Sequence, residues 1–429
     1  MFFNPGNPAV DICEGNEDRF EGTNQKVAFC DITLGGSLKK VLMRKSGVGG
    51  SGNGVGPVCS AGNPGVPQIN FMVVDTLTTD GNPATCTETA PGSKQWACAG
   101  FVNELLTPEM GISDVAPNET FGGTASSGCG TNVFPSFETV FGVPVTLALR
   151  DALQSAQGLV PGQDDLANMP SLSSAQYVSI FTGKVKRWSE FFLNGASLTT
   201  QVPTPPGDTR VTVCRRVDSS GTFAASTIRQ LKRTCVAGAL APAASNPGPP
   251  SNNGPVIVEN SGSGDVEACL TSFNNTGNFA SRCATNGCTW AIGQNSTDRI
   301  PSGANNAWRF VKLDGVEPTF ENVANGSYTF SVTSTVQWKS LAGDKLTLAN
   351  RIATDAAQPS ELGAIRKIHP WGESGLMALA ENGFNVSYVA GDYDTTLPVT
   401  PWTHRTTVLS NCLEPTLAPG RTAPVETTD

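Results

Sequence analysis

The chain has 429 residues, enough for two or three domains with sizeable cores. Lys and Arg number 28 against 37 Asp and Glu, a net charge of −9, which argues against a nucleic-acid scaffold or an anionic membrane surface as the main partner. Only 15% of residues are charged while 46 are Gly and 30 are Pro, which excludes a coiled coil and describes a loop-rich globular protein with uncharged polar surfaces.

In chain order, MFFNPGNPAVDIC has neither a charged n-region nor an apolar h-region, so the sequence is expected to begin at a mature chain. VAFCDITLGGSLKKVLM (27–43) reads as a strand, a glycine turn and a helix start, and SGVGGSGNGVGP (46–57) as a flexible glycine loop. That loop lacks the Gly-Lys-Ser/Thr ending of a nucleotide P-loop. INFMVVDTL (69–77) is expected to be a buried strand, WACAGFVNELL (96–106) a helix, and MGISDVAPNETF (110–121) an apolar entry followed by a polar turn. FETVFGVPVTLALRDAL (137–153) contains a strand, and SSAQYVSIFTGKVKRWSEFF (173–192) carries Tyr177, Ile180 and Phe181 at helical spacing.

A β-type run, TRVTVC, then enters RRVDSSGT, and an amphipathic helix pattern leaves it. APAASNPGPPSNNGP (241–255) is expected to be a long surface loop and GSGDVEACLTSFNN (262–275) a helix. WAIGQNS (290–296) is a short apolar segment ending in a turn, and residues 308–338 read as strand, turn, short helix and strand. KLTLANRIATDAA (345–357) and GESGLMALAEN (372–382) are read as the last helices, and the tail after Cys412 as loose. There is no internal repeat, and no apolar run reaches the ~18 residues that span a bilayer. Alternating strands and helices predict an α/β architecture, in which ligands sit beyond the carboxyl ends of strands. Trp96 and Trp188 are expected in the core, and Lys184 and Lys186 in solvent.

Twelve cysteines with only two histidines, His369 and His404, favour disulfides in an oxidising compartment. Expected local bridges are Cys13–Cys30, Cys86–Cys98, Cys214–Cys235 and two among Cys269, Cys283 and Cys288; spacing does not fix the connectivity. The CATNGC spacing of Cys283 and Cys288 could also supply two zinc ligands, without a second pair to complete the set. Sequons at Asn118, Asn274, Asn295, Asn325 and Asn385 read as an Asn/Thr-rich surface.

The RRVDSSGT segment places two guanidinium groups, three hydroxyls, a glycine and a carboxylate where a helix begins. A helix N-terminus offers unpaired N–H groups and a positive dipole end, and arginine adds a planar fork of donors that matches a tetrahedral oxyanion. The plainer alternative is a helix cap with surface arginines nearby.

Several landmarks, in order, resemble the phosphate-binding proteins of the type II periplasmic-binding-protein superfamily. They are MGISDVA (110–116), VFGVPVTLAL, LSSAQYVSIFTGKVKRWSEF (172–191), VTVCRRVDSSGTFAAST, AIG (291–293) and DGVEPTFENVANGSYTFSV. The resemblance spans roughly residues 110–340. It implies a two-lobed α/β receptor, each lobe a mixed sheet flanked by helices and stabilised by disulfides, closing over the anion. Residues 1–142 and 312–429 would form one lobe and 143–311 the other, with a surface loop at 241–256 and a loose tail at 413–429.

Carried over position by position, the resemblance implies a phosphate site of Ser113, Asp114, Arg216, Asp218, Ser220, Gly221 and Thr222, with Ser37 of Gly35-Gly36-Ser37 as the candidate first anion loop. Ser113, Ser220, Thr222 and Arg216 would donate to the oxygens. Asp114 or Asp218 would accept the proton that hydrogen phosphate keeps and sulfate lacks; Asp218 could instead cap the helix or pair with Arg216. The implied function is extracytoplasmic phosphate binding, in the periplasm, at the cell surface or secreted, for delivery to an ABC permease, without catalysis, cofactor, metal, nucleic acid or membrane span. A cell-surface or filament protein that self-assembles on the same fold is the alternative. A phosphatase is disfavoured by the lack of an HExxH or GxSxG motif, and His369 and His404 read as structural.

Overall fold

The computed structural model describes residues 13–59, 68–74, 85–119, 129–246, 254–284, 287–384, 393–405 and 407–419. β1 (Gly15–Gly22), β2 (Gln25–Leu34) and β3 (Ser37–Ser46) form a meander in which Gly35 and Gly36, both at positive φ, make the two-residue turn that joins β2 to β3. Residues 37–46 are therefore a strand and not a helix start: Leu34 pairs with Ser37 and Gln25 with Ser46 in unbroken register. α1 (Ser51–Cys59) occupies the stretch expected to be a flexible loop. Its glycines allow close approach: a Cβ on Gly54 would lie 2.1 Å from the Ile112 carbonyl oxygen, and one on Gly111 1.8 Å from that of Gly54.

β4 (Ile69–Val73), β5 (Thr85–Glu88), β6 (Gln95–Gly100) and β7 (Val102–Leu106) follow. Residues 96–106 are thus two strands where a helix was expected. β6 joins β1 and β5 in a five-stranded sheet of order β3-β2-β1-β6-β5, while β7 pairs with β4. Pairing across strands overrides the local helix signal.

The remaining elements build the main body. β8 (Met110–Ser113), β9 (Val133–Thr146), α2 (Leu147–Ala156), β10 (Ser171–Leu172) and α3 (Ser174–Phe181) lead to a small hairpin of β11 (Phe192–Leu193) and β12 (Ala196–Ser197). β13 (Thr212–Arg216), α4 (Gly221–Arg229), β14 (Val256–Asn260), α5 (Ser263–Thr276), β15 (Ala291–Gly293), β16 (Asn295–Ser296) and β17 (Trp308–Leu313) come next. α6 (Phe320–Ala324), β18 (Ser331–Trp338), α7 (Gly343–Ala356), α8 (Pro359–Ala364), β19 (Lys367–His369), β20 (Gly372–Ser374), β21 (Leu376–Leu379), β22 (Val399–Thr400), β23 (Trp402–Thr403) and β24 (Thr416–Leu417) complete the chain. Residues 372–379, expected to be helical, instead pair as strands, β20 with β19 and β21 with β9 and β22.

β9 organises the two-lobed architecture. Residues 133–140 pair with β18, which also carries β8, and residues 137–139 with β21. Residues 141–146 pair with β16, β15 and β17, and β15 continues through β13 to β14. The strand serves a mixed sheet on each side. One apolar core runs through the junction, from Val115, Phe330, Val332 and Met377, past Val140 and Val143 of β9, to Leu149, Ile180, Val213 and Ile228. Trp188 lies in this core, whereas Trp96 is half-buried against Phe20 in the first sheet.

All twelve cysteines are paired. Cys13–Cys30, Cys86–Cys98 and Cys283–Cys288 match expectation. Cys214 bonds Cys269, not Cys235, because α5 packs against β13; Cys235 instead bonds Cys412, and Cys59 bonds Cys129. The bridge between Cys283 and Cys288 excludes them as zinc ligands. The sequon residue Asn295 is fully buried. No helix among the described residues is long and apolar enough to cross a membrane.

Candidate anion-binding site

Three strand-to-helix turns meet at the carboxyl ends of β8 and β13. Gly49 and Gly50 at positive φ turn the chain from β3 into α1. The close Gly54–Gly111 contact, with the Gln337 amide donating to the Gly54 carbonyl at 2.8 Å, then seats α1 on β8. This places Ser51, the first residue of α1, where its Oγ accepts the Asp114 backbone N–H at 3.1 Å. The Gly52 N–H donates to the Ser219 carbonyl at 3.0 Å, tying the start of α1 to the turn before α4.

β8 ends at Ser113, which is buried, its Oγ accepting the Val115 N–H at 3.3 Å; Asp114 follows, partly buried. From the other side, Ser220 caps α4 by backbone geometry alone. Its side chain makes no cap bond, and its Oγ is buried without a partner. Gly221, next in line, packs so closely that a Cβ there would lie 2.1 Å from Ser51 Oγ and 2.3 Å from Asp114 Oδ2. Thr222 is buried one residue further on.

Arg216 ends β13 and is buried. Nη1 donates to Ser263 Oγ at 2.8 Å and Nη2 to the Ser261 carbonyl at 2.9 Å, while Nε is buried without a partner. Ser263 opens α5, so a third helix start adjoins the arginine. Arg215 points elsewhere, to Asp218 at 2.8 Å, to Glu259 and over the Phe223 ring at 4.6 Å.

The electrostatics are those of a charged group held in a dry turn. Burial raises the Asp114 carboxyl from 3.8 to about 6; Asp298 adds to the rise, while Arg216 and the Ser51 hydroxyl oppose it. Burial likewise lowers Arg216, against the attraction of Asp114 and Asp265. The arrangement offers hydroxyl, backbone N–H and guanidinium donors around one carboxylate acceptor, as a protonated oxyanion requires.

Ser113, Asp114, Arg216, Ser220, Gly221 and Thr222 are thus brought together. Asp218 is not: it is exposed to solvent, pairs with Arg215, and neither caps α4 nor meets Arg216 through its side chain. Ser37 is not either, since it lies exposed at the β2–β3 turn. Ser51, with Gly50 and Gly52, lies against Asp114, Ser219 and Gly221 instead. The sequence holds Gly-Gly-Ser twice, at 35–37 and 49–51. What separates them is context, because the first lies between two strands of matched length and the second opens a helix. Ser263 and Asp298 were also not anticipated; only their nearness to Arg216 and Asp114 in the fold marks them.

No protein-family model matches the chain, and no curated protein matches it. Among solved structures, it aligns with a protein from Clostridium perfringens assigned as a phosphate ABC transporter substrate-binding protein and solved with bound phosphate. Identity is 21% and the TM-score 0.36, over 60% of this chain and 76% of that one. An ABC-type phosphate transport receptor from Vibrio cholerae aligns at 14% identity and TM-score 0.32, over 58% and 73%. PstS from Borrelia burgdorferi aligns at 12% identity and TM-score 0.30, over 62% and 79%.

Proposed function

We propose that this chain binds inorganic phosphate between its two lobes, 1–142 with 312–429 and 143–311, and acts outside the cytoplasm as a carrier delivering it to an ABC permease. The observation that carries the reading is the carboxylate of Asp114 set among the donors of Ser51, Ser220, Thr222, Arg216 and the first turn of α4. Hydrogen phosphate has a proton to give that carboxylate, whereas sulfate would face it with lone pairs only. Six disulfides support an oxidising compartment. A binding role is preferred to catalysis because both histidines are engaged elsewhere: His404 with Glu138 and the Leu413 carbonyl, His369 with Trp371 and Ser374.

Calorimetry after stripping bound ligand tests this. Phosphate and arsenate bind one to one and sulfate far more weakly, and Arg216→Ala and Asp114→Asn each abolish phosphate binding. Retained affinity in both variants would refute the site. A second reading, self-assembly, is favoured by Leu38, Leu42, Val102 and Leu105, all exposed on β3 and β7. Sedimentation showing a monomer at high concentration would exclude it.

A further inference from the structure

Both halves of the anion site lead, through buried groups that touch no anion, to one short stretch near the end of the chain. α4 begins at Gly221 in the site and ends at Arg229, about 12 Å away at 1.5 Å per residue. The Arg229 guanidinium is nearly fully buried. Nε donates to the Thr329 carbonyl at 3.1 Å, Nη1 to the carbonyls of Asn411 and Leu413 at 3.2 and 2.9 Å, and Nη2 to the Glu414 carboxylate at 3.2 Å.

Asn411, fully buried, faces the opposite way as well. Its Oδ1 accepts the Thr333 N–H at 2.7 Å, and Nδ2 donates to the Thr333 carbonyl at 3.2 Å and to Glu119 Oε2 at 2.8 Å, while its backbone N–H donates to Glu119 Oε1. Glu119, also buried, accepts the Ala116 N–H at 2.9 Å, two residues beyond Asp114. Next to Asn411, Cys412 is bonded to Cys235, six residues past the end of α4, and Lys232 reaches Glu414 at 2.7 Å.

We propose that residues 411–414 are a brace setting the spacing of the two halves of the anion site, with Arg229, Asn411 and Glu119 as positioning residues. The brace rests on the reading of the cleft as an anion site. The relay runs from the Asp114 turn through Ala116, Glu119 and Asn411 to Arg229, and along α4 to Ser220, Gly221 and Thr222. Each link is a buried hydrogen bond, a helix or a disulfide, and such contiguous elements transmit displacement because packed interiors yield little. An arginine suits the α4 end because its fork holds several carbonyls at once, which an ammonium on a flexible stem cannot do in the same geometry.

Two variants cut the relay without altering a group of the anion site. Arg229→Lys keeps the charge and loses the fork; Cys235→Ser with Cys412→Ser keeps the hydrogen bonds and loses the covalent link. Phosphate and sulfate affinities are measured by calorimetry, and amide exchange of residues 112–117 and 219–224 is followed without ligand. The brace predicts phosphate binding weaker by about tenfold in each variant, the scale of a coupling near 1.4 kcal/mol. The preference for phosphate over sulfate is retained, and exchange in both site segments rises together by more than in the β9 core segment 140–145, which reports the loss of global stability alone. Unchanged phosphate affinity overturns the brace and leaves the phosphate reading standing, as does exchange that rises only within 405–414. Should the wild type bind no phosphate while both site segments loosen together, the phosphate reading falls and the brace stands.

Discussion

Gly221→Ala is the sharpest probe of the site, because it adds one methyl group at the point where the start of α4 meets Ser51 and Asp114. The added Cβ would lie 2.1 Å from Ser51 Oγ, 2.3 Å from Asp114 Oδ2 and 2.7 Å from Asp114 Cβ, against an ordinary contact of 3.4 Å or more. The two oxygens could rotate away, but Asp114 Cβ cannot leave without its backbone, so the halves separate by roughly 0.7 Å, the difference between 2.7 Å and an ordinary contact of 3.4 Å. The backbone at 221 is already helical, and the gain of alanine over glycine at this first helical position, less than the ~1 kcal/mol of a helix interior, offsets only part of an overpacking cost of about 1–3 kcal/mol. Stability should therefore fall by no more than about 2 kcal/mol, whereas loss of one hydrogen bond to the charged ligand, about 1.5–3 kcal/mol, weakens phosphate binding roughly 10- to 100-fold. Calorimetry with phosphate, alongside thermal melts, separates the two effects. An alanine variant that binds phosphate with wild-type affinity would refute the placement of the anion at the Ser51–Asp114–Gly221 contact.

Three further outcomes are expected. Because burial raises the Asp114 carboxyl to about 6, its contribution to stability is complete below 3.8 and is lost as pH rises through 6, a fall of about 2 kcal/mol between pH 4 and 7. Asp114→Asn should remove that part of the decline in denaturant titrations across this range. Burial lowers His369 to about 4, so its contribution is present above 6.5 and is lost as pH falls from 6.5 towards 4, about 2 kcal/mol by pH 5. His369→Gln should be less acid-sensitive than the wild type in urea unfolding at pH 7.5 and pH 5. Loop-closure entropy ranks the disulfides: serine pairs should cost about 2 kcal/mol at Cys283–Cys288, which spans 5 residues, and about 5 kcal/mol at Cys235–Cys412, which spans 177, a difference visible as separate melting temperatures.

What could be read in the sequence was what depends on neighbours along the chain. The helix of residues 174–181 follows from the spacing of Tyr177, Ile180 and Phe181, and the turn at Arg216–Thr222 from its chemistry where a strand passes into a helix. What could not be read depends on residues far away. Gly50 and Gly54 look flexible until Ser220 is set against the first and Ile112 against the second, and β6 looks helical until β1 and β5 flank it. Cys214 and Cys235 are near in sequence, but the packing of α5 on β13 gives Cys214 to Cys269 instead. Asp218 resembled a ligand for the same reason: its neighbours are those of a binding turn, and only the fold shows it exposed and paired with Arg215.

The pairing of β8 bears on how the chain is made. The strand that delivers Asp114 hydrogen-bonds to β18, and Thr335 meets Val115 across a separation of 220 residues. A ribosome therefore releases the acidic half of the site long before the strand that supports it, and during that interval its edge is open to wrong partners. Maturation of such a chain is governed by the wait for its later residues, so its yield should depend on how well an unfinished, oxidisable chain is sheltered until synthesis has passed residue 338.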